Sequence, residues 1–161
     1  MAERATLREV GPRDGIQMAK RFLETERKLE WALRLKAAGV REIELTSFVP
    51  PKVVPQFADA DQLAQGLPRL EGVVASALIP NLKGAERALA AGFTHIEIRC
   101  PCGAISQIPF RMLRAERRIT GETTFASLAR RIGPCPHCAR KPQLADAKPW
   151  NVRMNFTPFM P

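Results

Sequence analysis

Arginine and aspartate stand side by side in the short run Gly11-Pro12-Arg13-Asp14-Gly15. A carboxylate in a turn can bind a hard divalent cation, which prefers oxygen donors. The neighbouring guanidinium keeps its charge at any ordinary pH and can face negative charge developing on a bound substrate. The same dipeptide is also what a plain surface ion pair looks like, so it acquires meaning only from its surroundings. A second group is made of thiols. Cys100-Pro101-Cys102 and Cys135-Pro136-His137-Cys138 are two short-spaced pairs, the second with the spacing of a zinc knuckle and the first tighter than usual. The two histidines, His95 and His137, form no His-x-His pair, and His95 opens an apolar stretch where a structural role is expected.

These groups need elements to position them. Ala5 to Val10 reads as a strand running into the Gly11–Gly15 turn. Thr25 is placed to cap a helix whose apolar residues Leu29, Ala32 and Leu33 recur at helical spacing and which stops at Gly39. Glu42 to Leu45 is a second strand, and Pro50, Pro51 and Pro55 forbid an early helix after it. Asp59 is placed to cap a helix over Ala60 to Gln65. Val73 to Ile79 is almost wholly apolar, as expected of a parallel strand covered on both faces. Leu82 to Ala91 is helical, Gly92 ends it, and Thr94 to Ile98 begins a fourth strand. Strands separated by single helices imply βαβ units and a parallel sheet. No glycine-rich phosphate fingerprint follows the first strand, which counts against a dinucleotide fold. The polar residues fall instead at strand C-termini: Arg13 and Asp14, then Glu44 to Ser47, then Asn81. That is the active face of a (β/α)8 barrel, of which four strands in 98 residues would be the opening part.

Three stretches, in order and correctly spaced, carry a resemblance. Glu9 to Gln17 (EVGPRDGIQ), Glu42 to Lys52 (EIELTSFVPPK) continued by Val54 to Asp59 (VPQFAD), and Pro80 to Ala88 (PNLKGAERA) are similar to the first-, second- and third-strand signatures of 3-hydroxy-3-methylglutaryl-CoA lyases. The resemblance covers residues 5–98 and implies an incomplete (β/α)8 barrel. It implies metal-dependent retro-Claisen cleavage of an acyl-CoA to acetoacetate and acetyl-CoA, with Mg2+ or Mn2+ as the divalent cation. By motif position, Asp14 matches the metal-ligand aspartate, Arg13 the catalytic arginine and Glu44 an active-site glutamate. Lys20 falls where a lysine often lies near the acyl-CoA. The related acyl-CoA condensing synthases share Arg-Asp-Gly, but usually lack the preceding Gly-Pro and the Thr46-Ser47-Phe48-Val49 block. The family's His-x-His ligand pair and the cysteine of its glycine-rich lid have no counterpart here. The chain is therefore expected to hold the opening third of such an enzyme, truncated and inactive alone. A sheet edge would lie open beside the fourth strand, favouring self-association.

Composition changes abruptly near Ile98–Cys100. Residues 1–98 hold 14 Lys/Arg and 13 Asp/Glu, whereas residues 99–161 hold 11 and 3, with all four cysteines and six of their prolines from Pro134 onward. Of the net charge of +9, +8 thus belongs to the tail, which lacks the aromatic-interleaved basic surface of a nucleic-acid binder. We read residues 99–161 as an irregular, poorly packed basic tail with a helix over Arg111 to Arg118. Its preferred origin is a shifted reading frame, because permitted codons read one base earlier restore a Leu-Ser-Val strand end, a histidine and an Asn-Val pair. A basic zinc or nucleic-acid-binding module is the alternative. No apolar run suits a transmembrane helix and the N-terminus has no apolar signal core, so the expected compartment is the cytoplasm.

Overall fold

In the computed structural model, the described residues are 7–100, 102–109, 134–135, 137–141 and 152–156. The strands are β1 (Arg8–Glu9), β2 (Glu42–Ser47), β3 (Val74–Leu78), β4 (His95–Arg99), β5 (Ile105–Pro109) and β6 (Val152–Phe156). The helices are α1 (Thr25–Ala37), α2 (Ala60–Ala64) and α3 (Leu82–Ala90). β1, β2 and β3 pair in parallel, with a bulge between Glu44 and Thr46. This is the α/β, parallel-sheet architecture expected from the alternation of strands and helices.

The core lies between the sheet and its helices. Ile43, Leu45, Ala75 and Ala77 are fully buried and pack with Leu29, Ala32, Leu63, Ala85, Ala88 and Phe93. α1 and α3 end in the same way. Gly39 and Gly92 take φ of +91° and +101°, which glycine adopts without a Cβ clash. The amides of the next residues, Val40 and Phe93, then reach back to the Leu35 and Ala88 carbonyls at 3.0 and 2.9 Å. Asn81 caps α3, its side-chain oxygen accepting from the Gly84 amide at 2.9 Å. Asn81→Ala should cost about 1 kcal/mol, read as a lower urea midpoint at unchanged slope.

Two expected caps are corrected. Neither Thr25 nor Asp59 accepts a capping bond from its helix. Thr25 is the first residue of α1 and its hydroxyl donates to Asp59 Oδ2 at 2.7 Å. The Asp59 carboxylate also accepts from Lys28 Nζ at 2.6 Å, so a buried ammonium wins it from the backbone of α2.

The tail also departs from expectation. It contributes two strands, and the sheet order is β1-β2-β3-β6-β4-β5. β6 runs antiparallel between β3 and β4, which would be neighbours in a barrel, and β5 folds back antiparallel on β4. The edge of β4 expected to lie open is therefore covered by β5. A hairpin closes a very short loop, so this local pairing costs little chain entropy. The expected helix over Arg111 to Arg118 lies outside the described residues, as does most of the tail beyond residue 120.

The sheet curls strongly. β1 and β4 stand four strand steps apart, about 19 Å in a flat sheet. Yet Arg8 grips Glu97 with both terminal nitrogens, at 2.7 and 2.8 Å, while its Nε bonds Glu42 at 2.9 Å. The two carboxylates hold the guanidinium firmly in its charged form, against the effect of burial. Only a concave sheet brings these groups together.

Candidate active site at the strand ends

The chain leaves β1 at Val10 and turns at once. The amides of Arg13 and Asp14 both donate to the Val10 carbonyl, at 3.0 and 2.7 Å, closing a wide helical turn over Gly11–Gly15. Gly11 is required there. Its amide donates to Glu9 Oε1 at 2.6 Å, and a Cβ would meet that oxygen at 2.8 Å and the Trp31 ring at 3.0 Å. Pro12 suits the first turn of such a helix because it has no amide hydrogen to satisfy there.

This turn lays Arg13 over the end of β2. Its Nε donates to Glu44 Oε1 at 2.6 Å, and its Nη1 donates to Asp14 Oδ1 at 2.7 Å. The Glu44 side chain is fully buried and that of Arg13 is 12% exposed, whereas that of Asp14 is 61% exposed. Burial of Glu44 makes its charge costly without a partner, so the Arg13 guanidinium is a near-obligatory companion. One edge of the guanidinium is thereby anchored from below, and its remaining N–H groups are oriented by the planar fork. Three predicted site residues, Arg13, Asp14 and Glu44, are thus brought together. Lys20 is not: it is exposed on the loop ahead of α1 and makes no side-chain hydrogen bond or ion pair among the described residues.

Sequence reasoning missed the group beneath that loop. The Gln56 amide nitrogen donates to the Ala19 and Arg21 carbonyls at 2.8 and 2.6 Å, and its oxygen accepts from the Leu23 amide at 3.2 Å. Lys28 Nζ donates to the Gln56 carbonyl at 2.6 Å and lies 4.3 Å from the centre of the Phe22 ring. Gln56 and Asp59 both belong to the VPQFAD stretch, so the motif was visible while its clamping role was not.

Asp14, exposed beside Arg13, offers an oxygen donor. Among the described residues, however, no group of three or more His, Cys, Asp or Glu donors converges on it. One carboxylate does not make up a firm site. The acidic and imidazole donors present here therefore do not fit a complete cation centre at Asp14.

The parallel strands β1–β3, with a buried carboxylate, an anchored arginine and an exposed aspartate at their C-terminal ends, have the arrangement of the first βα units of a (β/α)8 barrel. Its family follows from comparison. The HMGL-like family model matches residues 4–133, and the chain belongs to that family, which is divalent-metal dependent. It is 44% identical over 90 residues to hydroxymethylglutaryl-CoA lyase YngG of Bacillus subtilis, covering 56% of this chain and 30% of that protein. It is 44% identical over 90 residues to the cytoplasmic 3-hydroxy-3-methylglutaryl-CoA lyase of Homo sapiens, covering 56% of this chain and 24% of that protein. Among solved structures, it resembles an HMG-CoA lyase from Acinetobacter baumannii in complex with coenzyme A and 3-methylmalate. That match has a TM-score of 0.51 and 38% identity, and covers 53% of this chain and 28% of the other. The chain thus spans less than a third of the length of these relatives. Among the described residues, no helix is long and apolar enough to cross a membrane.

Proposed function

We propose that residues 7–98 supply the first strand-end residues of a carbon–carbon lyase acting on 3-hydroxy-3-methylglutaryl-CoA. The observation that carries this reading is the 2.6 Å bond from Arg13 to buried Glu44, which aims a permanent positive charge over the strand ends. In the retro-Claisen step the 3-hydroxyl gives up its proton and becomes the new ketone of acetoacetate. The electron pair of the breaking carbon–carbon bond passes to the thioester fragment as an enolate, which takes up a proton to become acetyl-CoA. Arg13 donates hydrogen bonds to the enolate oxygen, whose charge exists only along the reaction path, and so favours the transition state over the substrate. Glu44 acts through Arg13, fixing its orientation. Asp14 is the carboxylate we assign to the divalent cation, with the other donors coming from strands beyond these units.

The test is a chimera in which residues 7–98 replace the matching segment of the Bacillus subtilis relative. It should cleave 3-hydroxy-3-methylglutaryl-CoA in a coupled acetyl-CoA assay. Arg13→Gln in the chimera should lower kcat roughly a thousandfold with the fold intact by circular dichroism. A folded chimera in which Arg13→Gln changes kcat less than tenfold would sink the assignment. The 161-residue chain itself should show no turnover above the Arg13→Gln background, even with excess Mg2+ or Mn2+, because Asp14 has no converging co-ligands among the described residues.

A further inference from the structure

The four cysteines play no part in the site above, yet the fold gathers them. Cys100 directly follows β4 and Ala104 directly precedes β5, so the first pair forms the tip of the β4–β5 hairpin. The second pair comes from more than thirty residues further along the chain and docks on that tip. Cys100 Sγ lies 3.6 Å from Cys138 Sγ, and Cys102 Sγ lies 3.8 Å from Cys135 Sγ. All four sulfurs lie within 4.8 Å of one another. A zinc ion with bonds of about 2.3 Å to sulfur needs a tetrahedron with edges of about 3.8 Å, close to this spacing. A disulfide needs about 2.05 Å, and all four cysteines are free.

The backbone tells the same story twice. In the first turn the Cys100 amide donates to the Ala104 carbonyl at 2.8 Å, and the Gly103 amide donates to the Cys100 carbonyl at 2.9 Å. In the second the Cys135 amide donates to the Arg140 carbonyl at 2.9 Å, and the Ala139 amide donates to the Cys135 carbonyl at 2.8 Å. The second turn is the first with one residue added, matching Cys-x-Cys against Cys-x-x-Cys. In each turn the residue after the second cysteine is left-handed: Gly103 at φ +89° and Ala139 at +58°. Ala139 is the sole non-glycine residue with positive φ among the described residues, a strained conformation held by the turn around it. Such turns aim backbone N–H groups at the first sulfur of each pair. Those of Cys138 and His137 face Cys135, and that of Cys102 faces Cys100.

We propose that Cys100, Cys102, Cys135 and Cys138 form a tetrathiolate site for a single zinc ion. Four protein thiolates fill the coordination shell and leave no position for water or substrate, so the site is structural. It ties Cys135 and Cys138 to the hairpin that follows the fourth strand of the lyase-like units. The two negative charges of the loaded centre sit in a tail segment whose net charge is +8. A tail read out of frame has no reason to build the same turn twice and point four sulfurs at one centre.

The test uses the full chain, purified under reducing conditions and assayed for metal by mass spectrometry. One zinc per chain is expected. Exchange with Co2+ should give the strong visible absorption of a tetrahedral thiolate centre. Cys138→Ser should weaken Co2+ binding beyond the 10–100-fold typical of losing an outer-shell partner. Because that variant could simply misfold, Cys138→His serves beside it: it should retain one Co2+ with an altered charge-transfer band. A reduced chain that holds no zinc and takes up Co2+ no better than Cys138→Ser would overturn the proposal. So would iron in place of zinc, or Co2+ spectra identical in all three proteins.

Discussion

Asp59→Ala should destabilise the βα units by roughly 3–5 kcal/mol, among the largest effects of any single change outside the thiol cluster. The side chains of Lys28 and Asp59 are 1% and 7% exposed, and their ion pair is 2.6 Å long. Alanine leaves the ammonium buried, held among the described residues by the Gln56 carbonyl and the Phe22 face. The loss should not be the worth of the ion pair itself. Removing both charges, as in Lys28→Met with Asp59→Leu, should recover much of the stability, since apolar groups of similar size need no desolvation. Urea unfolding of the two single variants and the double variant decides this. If the double variant is as unstable as the sum of the single variants, the pair is not acting as a unit. Damage to this cluster should also loosen residues 19–23, which Gln56 holds, and raise hydrogen exchange there before global unfolding.

The second large effect belongs to Arg8. Its guanidinium spans Glu97 on β4 and Glu42 on β2, so it links β1 to a strand four steps away across the curled sheet. The Glu97 side chain is 2% exposed, and Arg8→Met would remove the cation that faces it. A loss of roughly 3–5 kcal/mol is expected, because a buried carboxylate loses the cation that grips it with two nitrogens. Arg8→Met combined with Glu97→Gln should be milder than Arg8→Met alone, because the buried group is then neutral. Equal midpoints for the two proteins would show that the carboxylate is stabilised by other contacts. Arg8→Lys should not restore stability fully. A lysine cannot give Nε to one carboxylate and two terminal nitrogens to another.

By itself the sequence determined the local elements and which polar residues gather at the strand ends. Apolar spacing and the glycine stops placed three helices and four strands to within a few residues, since each is set by neighbours one turn or one pleat away. Arg13, Asp14 and Glu44 were identified by their motifs, and Gly11 and Pro12 were legible as a turn because backbone conformation limits which residues fit there. What depended on distant partners was invisible. Asp59 had the form of a helix cap, and only the packing of α1 on α2 showed that Lys28 would claim it. Arg8 and Glu97 are 89 positions apart and meet only because the sheet curls. The tail showed most clearly where local reading stops. Val152-Arg153-Met154-Asn155-Phe156 alternates apolar and polar residues, but alternation alone names no strand partner, and β6 lies between β3 and β4. The two cysteine pairs were plain as pairs. Whether they would meet was a question of where the chain returns after β5, and only the tertiary structure answers it, because a tetrahedron of sulfurs is defined by distances in space.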